Sequence, residues 1–248
     1  MFVKIFSSFK EFIKMPFGFL LTLICMIPVI FISGLGESLG TTLGLYAFTS
    51  EGILSLTYLL TAGFWLVVLY FLFALIGVFF NSLLSTVVLN YMLNKRNNTS
   101  NSLFSGLSIM FGLFFAVYIM FIVFAIFNLL IMSVWWLILI EFLMLILLFI
   151  VVIPRWFFVP ILIIDKKERI RKAFSDSWEL TKDKYGSILF FVILFTIVSS
   201  IISLLLVNYA LFYSLGIAGS LVVEYLILWI IDSALVYWML SVLFNSYK

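Results

Sequence analysis

The sequence predicts an all-α integral membrane protein, with six transmembrane helices plus amphipathic interfacial helices in a single domain over residues 1–248 and both termini cytoplasmic. Three observations predict it. Of 248 residues, 66% are apolar and only 10% charged, against about 25% charged in a soluble globule, and the mean hydropathy is +1.33. The apolar residues gather in runs of about 20, the length of helix that crosses a hydrocarbon core about 30 Å thick. All 14 lysines and arginines fall on one side of a single six-span layout, as the positive-inside rule requires.

The first element is amphipathic. Over residues 1–14, Phe2, Ile5, Phe6, Phe9, Phe12 and Ile13 recur at helical spacing opposite Lys4, Ser7, Lys10, Glu11 and Lys14, the pattern of a helix lying in the membrane interface. Pro16 breaks it where the chain turns into the bilayer. The apolar run that follows is longer than the roughly 7–15 residues of a secretory signal and has no small-residue cleavage site. It is therefore expected to be a retained first span.

The six predicted spans are Pro16–Leu35, Tyr58–Phe80, Leu103–Phe127, Ile131–Ile153, Gly186–Val207 and Leu215–Phe244. The stretch from Leu103 to Ile153 is too long for one span, which puts a tight hairpin near Asn128–Ser133. Lys4, Lys10 and Lys14 precede the first span. Lys95 and Arg96 follow the second, eight cations from Arg155 to Lys184 separate the fourth from the fifth, and Lys248 ends the chain. The alternate connections, Gly36–Thr57, Asn128–Leu130 and Asn208–Ser214, hold no lysine or arginine. The expected location is a prokaryotic plasma membrane. Asn97-Asn98-Thr99-Ser100 contains glycosylation sequons, but a cytoplasmic loop is not glycosylated, and its composition suggests a flexible connection.

A second interfacial helix is predicted over residues 165–184. Asp165 and Glu168 have the spacing of a capping box, which places a helix start at Asp165. Ile170, Ala173, Phe174, Ser177 and Trp178 then form one face, turned toward the membrane, with most of the charges opposite. Seven cations and five acids give this segment a net charge of +2, a weak attraction to anionic headgroups rather than a polybasic cluster. Nucleic-acid binding is not expected. An offset of 168 aligns Lys4, Glu11, Lys14 and Gly18 with Lys172, Glu179, Lys182 and Gly186, a faint echo that a shared amphipathic pattern explains as well as a repeat does.

From Pro154-Arg-Trp-Phe-Phe-Val-Pro160, through Asp165, to Ala173-Phe-Ser-Asp-Ser177-Trp178-Glu-Leu, the chain resembles a family of bacterial and archaeal multi-pass proteins. These are related to the membrane domain of glycerophosphoryl diester phosphodiesterase. The resemblance covers about Pro154–Ile188 and implies a six-span helical domain with no catalytic residues to carry over. The soluble phosphodiesterase part of the named relative has no counterpart here, so hydrolysis is not implied.

The chemistry is bounded by what is missing. With no histidine, Ser-His-Asp, Cys-His and HExxH sites cannot be built within this chain. Cys25 has no partner for an internal disulfide and sits in an apolar run. No metal, cofactor or catalytic residue is expected. The candidate polar site is Glu141 and Asp232, both near mid-span, where an ionised acid costs about 2.5–3.5 kcal/mol unless paired or neutralised. Two such carboxyls could share a proton or bind a cation. Alternatively each is protonated or hydrogen-bonded in a helix interface and serves assembly, which is preferred because ion pathways usually show more than two polar groups. Glu224 falls near the outer headgroups.

Arg155 is expected to anchor the inner interface by snorkelling toward phosphate, beside Trp156 and Tyr185. Gly34-x-Gly36 and Gly216-x-x-Gly219 are candidate points of close helix approach. The expectation for function is a non-enzymatic scaffold or envelope component whose partners are the lipid bilayer and other membrane proteins or copies of itself. The alternative is a small proton- or cation-coupled carrier using Glu141 and Asp232.

Overall fold

A computed structural model of the chain describes residues 15–49, 64–99, 101–131, 143, 146–213 and 219–247. Among these residues the architecture is all-helical: α1 (Pro16–Thr49), α2 (Phe64–Asn97), α3 (Leu107–Ile131), a π-helical turn (Leu148–Val152), the single turn α4 (Ile153–Arg155), α5 (Val159–Lys166), α6 (Ile170–Thr181), α7 (Tyr185–Tyr213) and α8 (Gly219–Ser246). Among the described residues three helices are long and apolar enough to cross a membrane, over Val68–Asn97, Tyr185–Ile202 and Trp229–Ser246. The interfacial helix predicted over residues 1–14 lies outside the described residues.

Several predicted boundaries are corrected. Instead of ending at Leu35, α1 continues into the predicted connection as far as Thr49; its 34 residues, Pro28 among them, have a contour of about 50 Å, longer than a bilayer core. Asn128 and Leu130 are helical rather than part of a hairpin, since α3 runs to Ile131. The second span does not stop at Phe80 but extends to Asn97. The polar residues that follow Phe80 do not end it because the helix absorbs them: Asn81 Nδ2 donates to Gly77 O at 3.0 Å and Ser82 Oγ to Val78 O at 2.7 Å. Lys95 and Arg96 close its last turn, where cations are favoured by the helix dipole.

The register follows from a few contacts. An added Cβ at Gly18 would lie 3.2 Å from Tyr91, and one at Gly77 3.6 Å from Ile32, so α1 and α2 run antiparallel. Tyr237 Oη donates to Met15 O at 3.0 Å and Trp229 Nε1 to Leu23 O at 2.8 Å, so α8 also runs antiparallel to α1. Phe191 and Phe195 pack on Trp238 with ring centroids 5.4 and 6.0 Å apart, joining α7 to α8. Gly34, by contrast, would meet nothing within 4 Å among the described residues if it carried a Cβ; the close approach seen among them falls at Gly18. Gly216 lies outside the described residues.

These pairings bring the start of α1, the end of α2, the segment from Arg155 to Lys184 and the end of α8 to one end of the bundle. Arg96 lies over the Phe244 ring at 4.8 Å, and Lys184 Nζ donates to Ser246 O at 2.9 Å. Lys4, Lys10, Lys14 and Lys248 lie outside the described residues, and the other ten of the 14 cations gather at this end. Away from it, α2, α3 and α7 expose large apolar side chains, among them Leu72, Val123 and Leu204, an arrangement that suits lipid and costs free energy in water.

Candidate functional site

At the charged end the chain makes an elbow from Pro154 to Lys166. Pro154 has no N–H, so the carbonyl of Ile150 four residues earlier loses its helical donor. The Tyr185 hydroxyl replaces it, donating to Ile150 O at 2.7 Å. Within the elbow, α5 is buried at Val159 and from Ile161 to Ile164, with Ile161, Leu162 and Ile163 at 0% exposure, between α2, α3 and α6. Pro160 near the start of α5 is favourable, because the first-turn N–H groups have no helical acceptor anyway.

The predicted face of α6 packs mainly on protein. Ala173, Ser177 and Thr181 are fully buried, Phe174 tilts against Trp156 at 4.5 Å between centroids, and Ile170 and Phe174 pack on the main core. Trp178 alone of the predicted set is exposed, at 47%. Periodicity identifies an apolar stripe without saying whether lipid or protein covers it. Ser177 ties α6 to the elbow: its hydroxyl donates to Arg155 O at 2.7 Å and accepts the Phe158 N–H at 3.2 Å.

Arg155 sits at the centre of this arrangement. Its guanidinium lies 4.9 Å from the Trp178 ring centroid and 4.8 Å from that of Tyr185, and Nη1 donates to Trp178 O at 3.3 Å. It forms no ion pair among the described residues, with Asp232 or any other acid. Tyr185, placed by the sequence only in an aromatic belt, therefore has two specific roles; the unpaired carbonyl that any helical proline creates four residues upstream was the signal that could have found the first of them.

The capping box is corrected. Asp165 lies in the last turn of α5, which ends at Lys167 in the left-handed conformation (φ 54°), and α6 begins at Ile170 with no side-chain cap on Arg169. The burial of α5 decides this, because Ile161–Ile164 extend the core into what local spacing marks as a helix start. Asp165 accepts a hydrogen bond from Tyr247 Oη at 3.0 Å. Burial first, then that bond and the negative charges of Asp165 and Glu168, push the Tyr247 hydroxyl well above its ordinary pKa, against an opposing effect of Arg96. Glu168 is buried at 7% exposure and pairs with Lys172 at 3.4 Å and Lys166 at 3.9 Å; Lys166 also reaches Asp176 at 3.9 Å. Nearby, Lys166, Asp176, Glu179, Leu180, Asp183 and Lys184 line an open groove of about 410 Å³.

Of the two predicted mid-span acids, Glu141 lies outside the described residues. Asp232 is half-buried on α8 and forms no hydrogen bond or ion pair among the described residues. Its neighbour Ser233 is fully buried, as is Thr22 on α1, whose hydroxyl donates to Gly18 O at 2.9 Å. Cys25 is half-buried and packs on the core. Around the predicted flexible loop, of which Ser100 lies outside the described residues, Asn94 donates through Nδ2 to Asn101 O and accepts from Thr99 Oγ1 at Oδ1, while Asn90 Nδ2 donates to Leu103 O and Ser105 O.

Among the described residues no group of three His, Cys, Asp or Glu side chains could hold a metal ion. The chain matches no family model, no curated protein and no solved structure.

Proposed function

We propose that the chain is a six-span membrane protein with both termini cytoplasmic, acting without catalysis as a scaffold or envelope component through its charged end. The observation that carries this reading is the elbow knot of Arg155, Ser177, Trp178 and Tyr185, which fixes α6 against the bundle beside a membrane-length apolar helix. A fixed amphipathic element at the membrane surface suits recruitment of lipid or protein partners. Kinship with the membrane domain of glycerophosphoryl diester phosphodiesterase belongs to the same reading. It rests on the sequence resemblance over Pro154–Ile188 alone.

The test is labelling of single cysteines in a Cys25→Ser background. Glu51→Cys reacts with an impermeant maleimide from outside and Asn98→Cys only from inside; the reverse pattern removes the topology. The scaffold role requires Trp178→Glu to change the set of membrane proteins cross-linked to the chain, and an unchanged set counts against it. Asp232, half-buried and without a hydrogen bond to described residues, supports a second reading as a cation-coupled carrier; it requires Asp232→Asn and Glu141→Gln each to abolish flux in liposomes.

A further inference from the structure

We propose that Arg155 is the docking point for the phosphate of an anionic phospholipid in the leaflet at the charged end. This rests on the membrane placement above and adds a ligand class and a residue to it. The guanidinium has five N–H donors; one goes to the Trp178 carbonyl, and no carboxylate pairs with it among the described residues. Lys166 and Lys172 pair with Glu168, and Lys184 binds the Ser246 carbonyl; among the described residues Lys167, Arg169, Arg171 and Lys182 are not held between aromatic rings as Arg155 is.

Two aromatic rings and a carbonyl hold the arginine in one place before any ligand arrives. With rings against the guanidinium, its in-plane N–H edge is what a ligand would use, and that edge matches two oxygens of a phosphate. The surroundings favour a lipid over a free ion. Ile150, Val151, Ile153 and Trp178 are exposed apolar side chains next to Arg155 in sequence or contact, a surface for acyl chains immediately beside the charge. The net charge of +2 over residues 165–184 favours an anionic headgroup over one carrying its own ammonium.

Native mass spectrometry of the full chain, released from mixed micelles of phosphatidylglycerol and phosphatidylcholine, tests the site. The parent is expected to retain one phosphatidylglycerol preferentially. Arg155→Gln is expected to lose that preference roughly tenfold, the effect of about one charged hydrogen bond, while Lys166→Gln keeps it. If Arg155→Gln fails to fold by circular dichroism, Arg155→Lys, which keeps the charge but not the fork, is expected to show a weaker preference than the parent. Retention equal to the parent in whichever variant folds overturns the proposal. So does displacement of the lipid by glycerol 3-phosphate at equal concentration, which would mark a site for soluble phosphate. A parent that does not sediment with membranes sinks the membrane placement itself, whereas one that inserts without lipid preference sinks only the Arg155 site.

Discussion

The Tyr185 hydroxyl donates to the Ile150 carbonyl at 2.7 Å across 35 positions of sequence, supplying the hydrogen that Pro154 lacks. The bond joins the first turn of α7 to the helix that ends at the elbow. Tyr185→Phe keeps the ring beside Arg155 but removes the protein donor of an exposed carbonyl, and it should destabilise the fold by about 0.5–1 kcal/mol. Pro154→Ala restores the backbone N–H, so the same substitution in that background should cost less. Denaturation of the four proteins in one detergent gives the coupling; equal costs in both backgrounds would refute the linkage to Pro154.

Ser177 satisfies two backbone groups at once, the Arg155 carbonyl and the Phe158 N–H. It is fully buried, so no water can take over. Ser177→Ala should cost about 1–3 kcal/mol and loosen α6 from the elbow, seen as faster amide exchange at Phe158 and through Ile170–Thr181. A stability loss without faster exchange at Phe158 would show that the hydroxyl acts elsewhere.

Gly18 is where three helices meet. A Cβ there would stand 2.9 Å from Tyr237 Oη, 3.0 Å from Tyr237 Cε2 and 3.2 Å from Tyr91 Cε1. The Tyr237 hydroxyl is held by Met15 O and cannot swing away without breaking that bond. Gly18→Ala should therefore lower stability by about 1–3 kcal/mol. At Gly186, its counterpart in the faint 168-residue echo, a Cβ meets nothing within 4 Å, and Gly186→Ala should be close to neutral. Comparable losses at both positions in thermal unfolding would contradict the packing.

The contrast between these glycines shows what was legible in the sequence. Hydropathy and the segregation of lysine and arginine anticipated described residues that are all-helical with their lysines and arginines at one end, because both depend on residue type alone. The helix boundaries were less legible: Asn81 and Ser82 look like terminators until their side chains bond the preceding turn. Asp165 and Glu168 look like a cap until the burial of α5 is known. The hydroxyl bridge of Ser177 and the role of Tyr185 depend on which segments meet, and no local spacing encodes that.

Tyr247 tests the far side of the same end. It donates to Asp165 Oδ2 at 3.0 Å, and burial together with that acid raises its pKa above the ordinary value of 10. A folded-state pKa above the unfolded one means that the folded chain holds the proton after the unfolded chain has lost it. The stabilisation is thus complete below pH 10 and is lost as pH rises from there toward the raised value. Wild-type protein should lose stability more steeply than Tyr247→Phe above pH 10, and the two curves should run parallel below it. Tyrosinate absorbance of the 11 tyrosines should also show a component titrating later than an exposed tyrosine, which Tyr247→Phe diminishes. Asp165→Asn keeps an acceptor but deletes the charge, so it should lower the Tyr247 pKa without abolishing the bond; an unchanged titration in that variant would exclude Asp165 as a cause of the shift.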